Sequence, residues 1–331
     1  MKPKRIYFEP NIFNYELGKM LMEKYKDVPW IKIESHNRIE ELQKRSNADF
    51  VEMKKYIIIG VRKTHKYVPN TKSSDFLVPY TSSGCSAMCM YCYLVCNYNK
   101  CSYLRIFVNV EQMLNNLIKK SKETGKICTF EIGSNSDLIL ENQITGNLKT
   151  TIERFGKDGR GFITFPTKFS MVDSILNLNH NGKTIVRMSL NPQEIITKVE
   201  FGTSNLEKRI NAINKLSDAG YKVGILIAPV VFVDNWRNLY LELLDQMEEK
   251  LSDKVKESLM IEIIFMTYSY VHNAINEEAF PNEIKLYNKD IMTGRGMGKY
   301  WYKKEYRDEA EKFFREEIKK RFSNAVIMYI V

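Results

Sequence analysis

The sequence predicts an α/β protein built as a partial (β/α)6-type TIM barrel, with an N-terminal extension and a C-terminal hairpin–helix–strand segment. Two observations carry this. Short β-rich runs alternate with helical stretches over the middle of the chain, and the strands are near-continuously apolar, as strands of a parallel sheet covered by helices are. About six such units occur, too few for a closed eight-stranded barrel. The expected organisation is an extension over residues 1–75, a barrel over 76–266 and a C-terminal segment over 267–331.

The predicted strands are YIIIGV (56–61) in the extension, then FLVPY (76–80), LRIFVN (104–109), TFEIGS (129–134), GFITFPT (161–167), IVRMSL (185–190), KVGILIAPVV (222–231) and LMIEIIFM (259–266). The predicted helices are EQMLNNLIKKSKE (111–123), NLEKRINAINKLSDAGY (205–221) and NLYLELLDQMEEKL (238–251). In the second helix Leu206, Ile210, Ile213 and Leu216 recur at helical spacing and Gly220 stops it. TGRGMGKYWYKK (293–304) reads as a hairpin, EYRDEAEKFFREEIKKRF (305–322) as an amphipathic helix with opposite-sign pairs, and AVIMYIV (325–331) as a closing strand.

The 331 residues suffice to bury a core, and 44% hydrophobic with 27% charged residues is ordinary for a globular protein. No apolar run is long enough to span a bilayer and the N-terminus lacks the apolar stretch of a secretory signal, so a cytoplasmic protein with no membrane partner is expected. A net charge of +10 favours polyanionic partners without naming nucleic acid.

Four of six cysteines fall between Gly84 and Cys96. In a reducing compartment such clusters are metal ligands or catalysts more often than disulfides. Cys85, Cys89 and Cys92 have the spacing C-x3-C-x2-C. Zinc remains open here, with Cys96 as a fourth ligand. An iron–sulfur cluster on three cysteines would instead leave one iron open for an exogenous ligand.

That spacing, with Tyr91 before the third cysteine and a partial barrel after it, resembles the radical S-adenosylmethionine (SAM) enzymes. Further ordered motifs resemble one family, the spore photoproduct lyases: YFEP, IIIGVRKT (57–64), CMYCYL (89–94), SNSD (134–137), TKF (167–169), HNGKT (180–184) and GMGKYWY (296–302). The resemblance implies repair of the methylene-bridged thymine dimer of ultraviolet-irradiated spore DNA. The cofactors implied are a [4Fe–4S] cluster on Cys85, Cys89 and Cys92 and SAM bound at its open iron. A 5′-deoxyadenosyl radical from SAM would abstract hydrogen from C6 of the lesion, and a thiol would return one after the bridge breaks. A radical SAM enzyme on another substrate, and a zinc-stabilised nucleic-acid-binding module, are the alternatives.

By the same resemblance, Ser136 and Asp137 meet the ribose of the cofactor, Lys168 its carboxylate, and Ser189 the corresponding place after the next strand. Tyr91 and Tyr93 lie near the lesion and pass a radical onward. Arg295, Lys299, Tyr300, Trp301 and Tyr302 form the DNA-engaging hairpin. The implied partners are ultraviolet-damaged double-stranded DNA and a reductant such as flavodoxin or ferredoxin, in the spore core; a monomer is expected from the lack of an obvious interaction helix. One departure stands out. Many relatives carry a hydrogen-donating cysteine where this chain has Ser134, and a serine O–H bond is too strong for that task. Cys96 is the expected replacement, with Cys101 second and Cys128 a further thiol; Cys96 lies one helical turn from Cys92 if the loop is helical.

Overall fold

The computed structural model describes residues 2–78, 80–97 and 103–331. Cys101 therefore lies outside the described residues. The chain forms two compact units: Met1–Met88, Leu94–Phe165 and Asn177–Thr184 make the first, and Cys89–Tyr93, Pro166–Leu176 and Ile185–Val331 the second.

In the first unit a five-stranded sheet runs in the order Trp30–Lys32, Arg5–Phe8, Tyr56–Gly60, Leu104–Phe107, Ser82–Ser83. The first four are parallel; Ser82–Ser83 is antiparallel to Leu104–Phe107. The apolar runs explain the pairing: Ile6, Ile57, Ile59, Leu104 and Ile106 form one buried cluster with Leu21 and Ile144. Two sequence expectations change here. The extension contains more strand than the one run YIIIGV, because Arg5–Phe8 and Trp30–Lys32 are too short to stand out by periodicity. LRIFVN, read as a barrel strand, pairs with Tyr56–Gly60 instead; an apolar run marks a buried strand but does not name its neighbour.

The same unit holds the parallel strands Phe76–Leu77 and Thr129–Glu131 and the strand Phe162–Thr167 as far as Phe165, with Val68–Pro69 antiparallel at the edge. Helix Val110–Glu123 buries Met113, Leu114, Leu117 and Ile118. Helices Leu138–Thr145 and Asn147–Asp158, not foreseen, meet at Gly146, whose φ of +73° suits only a residue without Cβ.

In the second unit the strand Thr184–Leu190, from Ile185 on, and the strands Lys222–Val230, Met260–Phe265 and Val326–Ile330 are parallel in that order. Helix Leu206–Asp218 is capped by Asn205 and turns the sequence's Leu206, Ile210, Ile213 and Leu216 inward; Gly220 follows at φ +84°. Helices Trp236–Lys250 and Lys304–Arg321 lie where expected. The expected hairpin is present: Met292–Gly296 and Lys299–Tyr302 are antiparallel, and Thr267–Ser269 adds a third strand. Among the described residues no helix is long and apolar enough to cross a membrane.

Candidate active site

The cysteine segment begins in the first unit. Gly84 is held from both sides: its N–H donates to the Asn135 carbonyl at 2.7 Å and its carbonyl accepts from Ser136 Oγ at 2.9 Å. Ser82 Oγ donates to Ser136 Oγ at 2.8 Å. Lys54, buried, donates from Nζ to the Cys85 carbonyl at 2.7 Å. Ser136 thus fixes the approach to Cys85. Asp137 is the N-cap of helix Leu138–Thr145, accepting from Leu140 N–H at 3.3 Å. Both residues read as ribose partners in the sequence also have these structural tasks.

Cys89–Tyr93 belongs to the second unit. Cys92 N–H donates to the Cys89 carbonyl at 3.1 Å, closing a tight turn. Met90 supplies both of its backbone groups to neighbours. Its N–H donates to the Val199 carbonyl at 3.0 Å and its carbonyl accepts from Asn276 Nδ2 at 2.9 Å. His272, on helix Tyr270–Ala279, is buried against the same turn. Its Nδ1 lies 2.8 Å from Ser269 Oγ and its ring stacks on Tyr268. Burial holds its pKa down to about 4, opposed by hydrogen bonds to the carbonyls of Cys92 and Tyr91.

Beside this turn lies a buried charge network centred on Glu200. Tyr91 donates its hydroxyl to Glu200 Oε1. Lys168 Nζ donates to the same oxygen at 3.0 Å, to Ser189 Oγ at 2.6 Å and to the Ala228 carbonyl at 2.7 Å. Asn191 Nδ2 donates to Oε1 at 2.8 Å, and Arg209 reaches Oε2 at 2.6 Å and the Ser189 carbonyl at 2.9 Å. Burial alone would raise the Glu200 pKa. The Lys168 and Arg209 charges, with the bonds from Tyr91 and Asn191, overcome it and bring the value down to about 2. Burial, with the Glu200 charge next, pushes the Tyr91 phenol well above its usual range.

The structure therefore brings Lys168, Ser189 and Tyr91 together, around a carboxylate the sequence analysis did not single out. Glu200, Arg209, Asn191, His272 and Asn276 were all missed. The signal for Glu200 was the lone acid between Val199 and Phe201: a charge amid apolar neighbours is rarely buried without a partner. Lys168 has its ammonium hydrogens directed at three acceptors, so engaging a ligand carboxylate requires exchanging one of them.

Among the described residues no three Cys, His, Asp or Glu side chains are gathered at metal-binding distance. The donor set nevertheless suits a cluster. Cys85, Cys89 and Cys92 are partly exposed and in no disulfide, and Cys85 Sγ accepts the Ala87 N–H at 3.3 Å, the kind of bond that supports a ligating thiolate.

The remaining thiols differ. Cys96 is exposed on the short helix Leu94–Asn97, which begins two residues after Cys92 and does not include it. Cys128 is buried beside strand Thr129–Glu131. Tyr93 is 52% exposed. In the hairpin, Arg295 and Lys299 are exposed, and Tyr300 and Trp301 half-buried. Tyr302 corrects the sequence reading. It is 1% exposed, its hydroxyl accepts the Phe232 N–H at 3.0 Å, and its ring packs on Phe232 at 4.2 Å. It anchors the hairpin, and its burial against Phe232 keeps it from touching DNA.

The family model for spore photoproduct lyase matches residues 1–331. The chain belongs to the spore photoproduct lyase family. It is 33% identical to the spore photoproduct lyase of Bacillus subtilis (strain 168) over 336 residues, 99% of this chain and 98% of that one. It is 31% identical, with the same coverage, to that of Geobacillus sp. (strain Y412MC61). A solved spore photoproduct lyase complexed with dinucleoside spore photoproduct superposes with a TM-score of 0.91 at 30% identity, over 99% of both chains. A mutant spore photoproduct lyase with bound AdoMet and the same dinucleoside matches equally well. The α/β partial-barrel class is thereby shared with the solved spore photoproduct lyases.

Proposed function

We propose that this chain is a carbon–carbon lyase that reverts the spore photoproduct, 5-thyminyl-5,6-dihydrothymine, in ultraviolet-damaged double-stranded DNA to two thymines. The observation that carries the reading is the family match along the whole chain with Cys85, Cys89 and Cys92 intact. A [4Fe–4S] cluster on those thiolates, with SAM, supplies when bound a carbon radical that abstracts hydrogen from the lesion.

The chain's own residues do the rest. Lys168 presents its ammonium for the carboxylate of SAM, held in place by Ser189 and Glu200. Ser136 and Asp137 stand at the segment leading to Cys85 as the ribose partners. Cys96 Sγ–H returns a hydrogen atom to the thymine radical left when the bridge breaks, in place of the family thiol absent at Ser134. Tyr91, its hydroxyl proton held against Glu200, and the exposed Tyr93 pass the resulting radical on. Arg295, Lys299 and Tyr300 face the DNA, the two cations meeting phosphates. A flavodoxin or ferredoxin as one-electron reductant, a monomer, and residence in the cytoplasm of the spore core complete the reading.

The test is anaerobic reconstitution followed by reaction with SAM, dithionite and dinucleoside spore photoproduct. Thymidylyl-thymidine is the expected product. SAM cleavage with the dimer untouched would reject the substrate. Separately, Cys96→Ala is expected to lower the yield of intact thymine and to leave adducts of the unquenched radical, read by mass spectrometry. An unchanged yield without adducts would remove Cys96 from the mechanism.

A further inference from the structure

The hairpin tip holds a residue that packing does not explain. Met297 is 92% exposed and has φ +53°; Gly298 follows at φ +68°, and the pair joins the opposed residues Gly296 and Lys299. Two successive left-handed residues are what a two-residue turn of the primed type needs, and asparagine–glycine is the favoured occupant. Methionine there is strained and places an apolar side chain in water, a combination that points from an outlier toward a function.

The tip is also firmly held. Gly298 carbonyl accepts the Tyr270 N–H at 3.1 Å, and a Cβ on Gly298 would lie 2.3 Å from Tyr270 Cδ1. Below it, Trp301 is covered by two guanidinium groups, Arg295 at 4.7 Å and Arg307 at 4.4 Å from the ring centroid. Exposed Arg295 and Lys299 flank Met297 on the two strands. An apolar point on a stiff base, straddled by cations, matches a base-stack wedge.

Building on the proposed repair of duplex DNA, we propose that Met297 is that wedge. It enters the stack beside the lesion and fills the space the lesion vacates, while Arg295 and Lys299 hold the phosphates on either side. Apolar side chains inserted between base steps are a known means of opening DNA. A lesion that stacks poorly is cheap to extrude, so a single wedge suffices.

The test compares two substrates. Met297→Asn installs the residue the turn prefers, so the hairpin folds. Repair of a spore photoproduct within a duplex should fall by about tenfold or more, while repair of the dinucleoside, which has no stack to open, stays at the wild-type rate. A 2-aminopurine beside the lesion should brighten when wild-type protein or Met297→Leu binds and stay dark with Met297→Asn. Duplex repair or brightening by Met297→Asn at the wild-type level would overturn the wedge. Wild-type protein inactive on the dinucleoside would instead overturn the lyase reading, and the fluorescence arm, which needs no turnover, would still decide the wedge.

Discussion

Glu200→Gln should destabilise the protein by about 3–5 kcal/mol, because it strands two cations in a buried place. Glu200 and Arg209 side chains are fully buried and Lys168 is mostly so. Removing the carboxylate charge leaves Arg209 and Lys168 without their shared counterion, while the glutamine amide cannot accept from Tyr91, Lys168, Asn191 and Arg209 as before. Urea unfolding of the variant against wild type measures the loss; a change under about 1 kcal/mol would mean that the network is not a stabilising unit. The same carboxylate sets an acid limit. Its folded pKa lies near 2 against an ordinary 4.5, so its contribution is complete above about pH 4.5 and drains away as pH falls toward 2. In Glu200→Gln that part of the acid transition should vanish.

Replacing Cys85, Cys89 or Cys92 with alanine is expected to abolish both the visible absorption of the reconstituted protein and all repair, with little change in folding stability. The contrast with Glu200 follows from position. These thiols are partly exposed and fill no core volume, so truncation removes ligands and leaves packing intact. Two thiolates cannot complete the three-cysteine set that a site-differentiated cluster needs. Retained brown colour and activity in any one variant would remove that cysteine from the ligand set. Cys96→Ala should keep the absorption, which separates a hydrogen donor from a ligand.

Much of the architecture was legible because it is periodic. Helix Leu206–Asp218, strand Lys222–Val230 and the hairpin Met292–Tyr302 lie where apolar spacing and turn residues put them. Helix Leu138–Thr145 was hidden, since it is buried nearly all round and shows no amphipathic stripe, whereas Asn147–Asp158 carries a legible stripe of Leu148, Ile152 and Phe155 that was passed over. The motif residues Lys168 and Ser189 were legible as site candidates; the contact between them was not.

The sequence by itself determined the chemistry on offer: three cysteines at C-x3-C-x2-C, a missing thiol at Ser134, a basic aromatic hairpin and an α/β order of elements. Only the tertiary structure decided which groups meet. Glu200 joins Tyr91, Lys168 and Arg209 across a span from residue 91 to residue 209, and Asn276 reaches Met90 from 186 residues away. Such contacts come from sheet order and burial, which reward any apolar strand equally in a one-dimensional pattern. A buried charge, by contrast, is tolerable only where the fold delivers its partners.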